Sequence, residues 1–164
     1  MTAVGPEDAH HPLLEPRLER LADCVIQVGR PIDIGVTPVG RRRLIPILSG
    51  RLNGPLLFGR VLPGGADFQL ISSPTQARIE ARYVVETDEG DQIYLENAGL
   101  RVAPADVVDK INRGIAVDPD LVYFRTTPRF ETASPRWAWL MESVFIGTGA
   151  RFPDRVELSF FRVR

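Results

Sequence analysis

QARIEARYVVETDEGDQIYLENAGLRV, residues 76–102, is the stretch that decides the fold. Ala77, Ile79, Ala81, Tyr83 and Val85 alternate with Arg78, Glu80, Arg82, Val84 and Glu86, a period of two that predicts a strand with one covered face. Asp88-Glu89-Gly90-Asp91 then predicts a hairpin turn, with Gly90 free to take positive φ. Residues 92–102 return as the partner strand. Working outward, the second half of residues 18–28 and residues 41–48, 56–62, 121–127, 130–131, 137–146 and 156–163 also read as strands. Turns are marked by Gly29-Arg30-Pro31, Asn53-Gly54-Pro55 and Pro63-Gly64-Gly65. Pro46 marks an edge or a bulge in its strand. One helix is predicted over residues 105–113. Pro104 precedes it, Val107, Val108 and Ile111 form its apolar stripe, and Gly114 stops it.

About eight short strands, one short helix and no βαβ alternation predict an all-β chain, a single antiparallel β-barrel. The domain is expected over residues 17–164, with residues 1–16, which hold three Pro and both His, as a flexible arm. A barrel lumen can hold one small ligand. Whether the Arg78, Glu80 and Arg82 face looks into that lumen or out to water is left open by the pattern.

Length and composition narrow the function classes. The 164 residues fit one domain, and the formal net charge of -1 gives no reason to expect nucleic acid or an anionic membrane as partner. No apolar run approaches a membrane span, and no secretory signal is visible at the start. Cys24 is the only cysteine, so no intrachain disulfide forms, which fits a cytoplasmic protein. Its apolar surroundings suit packing better than nucleophilic attack. His10 and His11 are the only histidines, so neither a metal centre nor a Ser-His-Asp triad is expected. The glycines sit in β-turns rather than at a strand-to-helix turn, so no nucleotide cofactor, and no cofactor of any kind, is expected.

Four motifs resemble the DUF3237 family, also called UPF0311. They are GPLLFGRVLPGGADF (residues 54–68), ARYVVETDEGDQIYLENAGLR (81–101), YFRTTPRFETASPRWAWL (123–140) and GTGAR (147–151). The likeness runs over residues 24–163. It implies a compact antiparallel barrel and self-association into a homo-oligomer, and it implies no settled activity. It also places Tyr83, Gly99 and Phe130 among the matched positions. Members often carry Asn after the Trp-Leu pair, where this chain has Met141, which would take one polar contact from the cavity.

The candidate site residues follow. Residues 123–139, YFRTTPRFETASPRWAW, mix aromatics with arginines and one carboxylate, which suits a pocket for a small polar or anionic molecule. Glu131 is the candidate base and Tyr123 the candidate acid. Aromatic walls raise a carboxylate's proton affinity and Arg neighbours lower it, so Glu131 reads either as catalytic or as half of an ion pair. Arg82 and Arg125 are candidate anion clamps, or structural partners of Glu80, Glu96 or Glu131. Asp67 follows two glycines that leave room beside its carboxylate, and it reads equally as a turn residue. Asn97 would orient a carbonyl or form a bulge. Trp137 and Trp139 share strand parity, and Trp139 would stack on a ligand or fill the core. Three functions stay open: a cofactor-independent lyase, isomerase or cyclase acting on a small carbonyl or carboxylate compound; a non-catalytic protein that binds such a small-molecule ligand; and a structural subunit.

Overall fold

The structure, a computed structural model, describes residues 13–164. The expected arm over residues 1–16 therefore lies outside the described residues, except for residues 13–16, which are exposed and irregular.

Ten strands form one antiparallel sheet: β1 (Leu18–Val28), β2 (Ile32–Thr37), β3 (Gly40–Asn53), β4 (Gly59–Val61), β5 (Ala66–Ser73), β6 (Gln76–Thr87), β7 (Gln92–Val102), β8 (Tyr123–Thr132), β9 (Val144–Arg151) and β10 (Arg155–Val163). Eight of them close a barrel in the order β1-β10-β9-β8-β7-β6-β5-β3, and β3 pairs back onto β1. β4 extends the wall between β3 and β6 beyond the end of β5. β2 lies on β3 beyond the end of β1.

The alternation in β6 sets the geometry. Ala77, Ile79, Ala81, Tyr83 and Val85 are buried, while Arg78, Glu80 and Arg82 are exposed. The charged face therefore looks outward. Ionised groups keep their water there, and the apolar face fills the barrel. Pro46 sits where β3 changes partners, from β2 and β5 before it to β1 and β4 after it. Lacking an N–H, it is tolerated at that junction.

The two ends of the barrel differ. At one end Phe130 meets Phe145 edge-on with ring centroids 4.9 Å apart, and Phe160 at 6.5 Å. Leu21, Leu52, Leu57 and Leu140 complete this apolar plug. The expected strand over residues 137–146 begins instead as a 3-10 helix, Pro135–Glu142, and only its later part is β9. Pro135 presets the first turn, and residues three apart in a 3-10 helix share a side, so Trp137 and Leu140 are buried together. Trp137 Nε1 donates to Asp91 Oδ2 at 3.0 Å, tying the helix to the β6–β7 turn.

At the other end α1 (Ala105–Asn112) follows β7, as the sequence predicts. Val107 and Val108 are buried with Ala103 in a small cluster of their own. Arg43 Nη1 of β3 donates to Asn112 Oδ1 at 3.2 Å, so the end of α1 is joined to the far side of this mouth. A short 3-10 turn, Pro119–Leu121, leads into β8. Residues 130–131 belong to β8, which runs unbroken from Tyr123. β5 was not predicted at all.

Candidate functional site

The lumen at the α1 end is a cavity of ≈ 40 Å³. That is room for a few waters or one compact ligand. Its wall is apolar on β1, β3 and β10, with Ile26, Ile45, Val156 and Leu158, and carries its polar groups on the strands from β5 round to β9, where Ile79 and Ala81 of β6 lie among them. Asp67, Gln69, Tyr83, Asn97, Arg101 and Arg151 are those polar groups.

Local sequence explains how each gets there. Gly64 turns with φ +106°, which L side chains rarely adopt, and a Cβ on Gly65 would lie 2.5 Å from the Arg82 carbonyl oxygen. Only this Gly-Gly pair lets β5 approach β6 closely enough to point Asp67 and Gln69 inward. Asp67 pairs in register with Ala81, and Ala81 with Asn97. The acid and the amide thus share one face, roughly 9–10 Å apart at the backbone, with only the small Ala81 between them. Arg101 has the parity of Ile93, Leu95 and Asn97 on β7, so it points inward too.

Electrostatics mark this group. Gln69, Tyr83, Asn97 and Arg101 are each at least 97% buried. Among the described residues, Gln69 Oε1, Tyr83 Oη and Asn97 Oδ1 have no hydrogen-bond partner. Buried polar atoms rarely go without one, and each such atom costs about 1–3 kcal/mol. Asp67 Oδ1 accepts the Glu80 backbone N–H at 2.9 Å. Burial nevertheless pushes its carboxyl up to about 6, against the pull of that hydrogen bond, Arg101 and Arg151. Burial pushes the Arg101 guanidinium down to about 10; Arg151 and Arg43 push the same way and Asp67 opposes them. Arg151 and Arg43 are lowered by burial as well. Arg151 Nη1 is held by the backbone carbonyls of Phe152 and Arg155. Burial raises the Tyr83 phenol, which therefore stays protonated at neutral pH, and it raises the Cys24 thiol, which makes a poor nucleophile.

The structure brings Asp67 and Asn97 to the lumen and leaves the other sequence candidates outside. Arg82 is exposed, 4.0 Å from Glu96. Tyr123 is exposed, with the Arg125 guanidinium stacked 5.0 Å over its ring. Glu131 lies on the outer face of β8 in a shallow groove beside Tyr94, Glu96 and Arg129. Trp139 lies at the apolar end, its ring 6.2 Å from Phe145 and under the Arg162 guanidinium. The expectation that Arg82, Tyr123 and Glu131 meet inside the barrel is therefore corrected. All three hold outward parity on their strands, where charged and phenolic groups keep their hydration. Met141 is exposed on the 3-10 helix at the same end as Trp139, so the departure from Asn there takes nothing from the lumen.

The family assignment rests on most of the chain. Residues 16–163 match the model for DUF3237, described as a protein of unknown function. The chain belongs to the DUF3237 family. A UPF0311 protein of Rhodopseudomonas palustris strain TIE-1 is 46% identical over 137 residues, covering 84% of this chain and 90% of that one. The crystal structure of RPA1785 from R. palustris, a conserved protein of unknown function, superposes with a TM-score of 0.86 at 41% identity, covering 94% of this chain and all of that one. A β-barrel-like protein from Acinetobacter baumannii superposes with a TM-score of 0.82 at 35% identity, covering 94% and 99%. Among the described residues, no helix of this DUF3237 protein is long and apolar enough to cross a membrane.

Proposed function

We propose that this barrel binds a small carbonyl or carboxylate compound in its lumen and moves a proton on it without a cofactor, as a lyase, isomerase or cyclase does. One observation carries the reading: Asp67 faces the lumen with its carboxyl raised to about 6, near the buried Arg101 guanidinium. A general acid or base works best when its proton affinity lies near the working pH. At neutral pH the Asp67 carboxylate takes a proton from a carbon beside the carbonyl. The C–H electron pair moves to the carbonyl oxygen, and Arg101 with Arg151 holds the negative charge that develops there. Asp67 then returns the proton at a second carbon, or protonates a leaving group. The Tyr83 hydroxyl, the Asn97 amide and the Gln69 amide orient the ligand with the hydrogen-bonding capacity they do not use within the chain.

The test is a screen of small carbonyl and carboxylate compounds for binding and turnover, run together with mass spectrometry of whatever co-purifies. Asp67→Asn is expected to retain the ligand and lose turnover. Full turnover in that variant would overturn the assignment of Asp67. A second reading, binding without chemistry, is favoured by the Glu80 N–H bond that already fixes Asp67 Oδ1; it predicts ligands that bind and leave unchanged. The homo-oligomer remains a proposal, checked by sedimentation of the full chain.

A further inference from the structure

The charges around the lumen do not balance. Arg43, Arg101 and Arg151 feel one another and Asp67, which among the described residues is the one acid facing the cavity. Among the described residues, no salt bridge within 4 Å neutralises any of these three arginines, and Arg101 is almost wholly buried with no hydrogen bond shaping its proton affinity. A buried guanidinium left this way is costly unless something outside the chain completes it. Its planar fork matches a carboxylate. The wall across the barrel, Ile26 on β1 with Val156 and Leu158 on β10, has no use for a fully polar ion such as phosphate, and it suits an alkyl remainder.

We propose that the lumen selects a small monocarboxylate, with the anionic group on Arg101 and the alkyl part against the aliphatic wall, and that Asp67 takes up one proton as the ligand binds. This rests on the lumen-binding reading above and names its substrate class. The proton uptake follows from the groups that face Asp67. Arg43 on β3, Arg101 on β7 and Arg151 on β9 are the charges that keep it ionised. A bound carboxylate occupies those same arginines and adds a like charge, so both effects favour the neutral acid. Glu80 on β6 adds a like charge from the outer face, and the Tyr83 phenol stays neutral. Asp67 is then protonated in the complex, so toward a carboxylate substrate it acts as the general acid, and the base role proposed above is confined to uncharged carbonyl compounds. By reciprocity, each proton taken up makes the ligand's affinity depend on pH. The cavity of ≈ 40 Å³ restricts the unstrained ligand to a few heavy atoms.

The experiment titrates the full chain with acetate, with acetamide as its uncharged isostere and with chloride, by calorimetry or ligand-observed NMR between pH 8 and pH 5.5. Acetate is expected to bind the wild type at least tenfold more tightly than acetamide or chloride. Its affinity should rise about tenfold from pH 8 to pH 7 and level off below pH 6. Asp67→Asn should bind acetate with no such slope, and Arg101→Met should lose at least tenfold in affinity. Acetate binding no tighter than acetamide or chloride would overturn the carboxylate assignment on the wild type alone, whatever the variants do. Acetate binding that ignores pH would overturn the proton uptake. Acetamide binding without acetate would sink this inference while leaving the lumen reading intact. Tight, pH-linked acetate binding in a protein whose Asp67→Asn variant keeps full turnover would do the reverse.

Discussion

The two ends of this barrel are built from the same ten strands and do opposite things with them. At the end closed by the 3-10 helix, inward positions carry Phe130, Phe145 and Phe160 in edge-to-face contact, sealed by Trp137 and Leu140. At the α1 end the inward positions of β5, β7 and β9 carry Asp67, Gln69, Asn97, Arg101 and Arg151 around a cavity. The first end is held by packing, with Thr126 Oγ1 near Phe160 as an unpaired exception, whereas among the described residues the second holds Gln69 Oε1, Tyr83 Oη and Asn97 Oδ1 without a partner. Packing is concentrated at one end and buried, unbalanced charge at the other, so substitutions at the two ends should differ in sign.

The largest effect is expected at the sealed end. Phe160 is fully buried in the aromatic cluster. Phe160→Ala removes that ring from the packed cluster and should destabilise by about 3–5 kcal/mol. Chemical denaturation measures it, and a loss under 1 kcal/mol would mean this end is not the keystone of the fold.

The open end should respond the other way. Asp67 has a folded-state pKa of about 6, above its ordinary 3.8. Its contribution to stability is therefore fully present below pH 4 and lost as pH rises through 6. Asp67→Asn removes that penalty, so it should stabilise the protein by up to about 3 kcal/mol at pH 8 and by nothing at pH 4. Equal effects at both pH values would show that Asp67 does not carry a raised pKa. Arg101→Met follows the same logic with a smaller expected gain. It replaces a buried, unpaired charge with an apolar chain of similar length and should stabilise by about 1–2 kcal/mol, while weakening anion binding. A marked loss of stability instead would reveal an intrachain partner for the guanidinium.

How much of this was legible in the sequence depends on which strand is read. β6 shows its alternation openly, so the fold class, the hairpin and the outward Arg82 face all follow from it once one knows the apolar side is inside. β5 reads inside out. Phe68 is exposed while Asp67 and Gln69 point into the lumen, so its pattern resembles no half-buried strand. Such an inversion is what a candidate site looks like, because local pattern and burial are expected to disagree at functional or strained positions. Arg101 was readable by carrying the parity of Ile93 and Leu95 four more positions past Asn97 along β7. The aromatic-rich stretch 123–139 drew attention through composition, yet composition does not fix parity. Tyr123, Arg125 and Glu131 alternate with buried Phe124, Thr126 and Phe130. The 3-10 helix was hidden because its Trp137–Leu140 spacing of three differs from the strand period assumed for it.

The smallest effect is expected on the outer wall, and it sharpens the contrast most. Glu131→Gln, Tyr123→Phe and Arg82→Gln change groups that face water on β8 and β6. Arg82 stands 4.0 Å from Glu96 with both side chains substantially exposed, and such a pair contributes little. None of the three side chains lines the lumen. Each variant should therefore melt with the wild type and bind acetate with wild-type affinity and pH dependence, while Arg101→Met does not. If Glu131→Gln alone weakened acetate binding, the ligand would sit in the groove beside Tyr94 and Arg129 on the outer face. The unpaired groups within the barrel would then need another explanation, because burial without a partner is costly wherever the ligand binds.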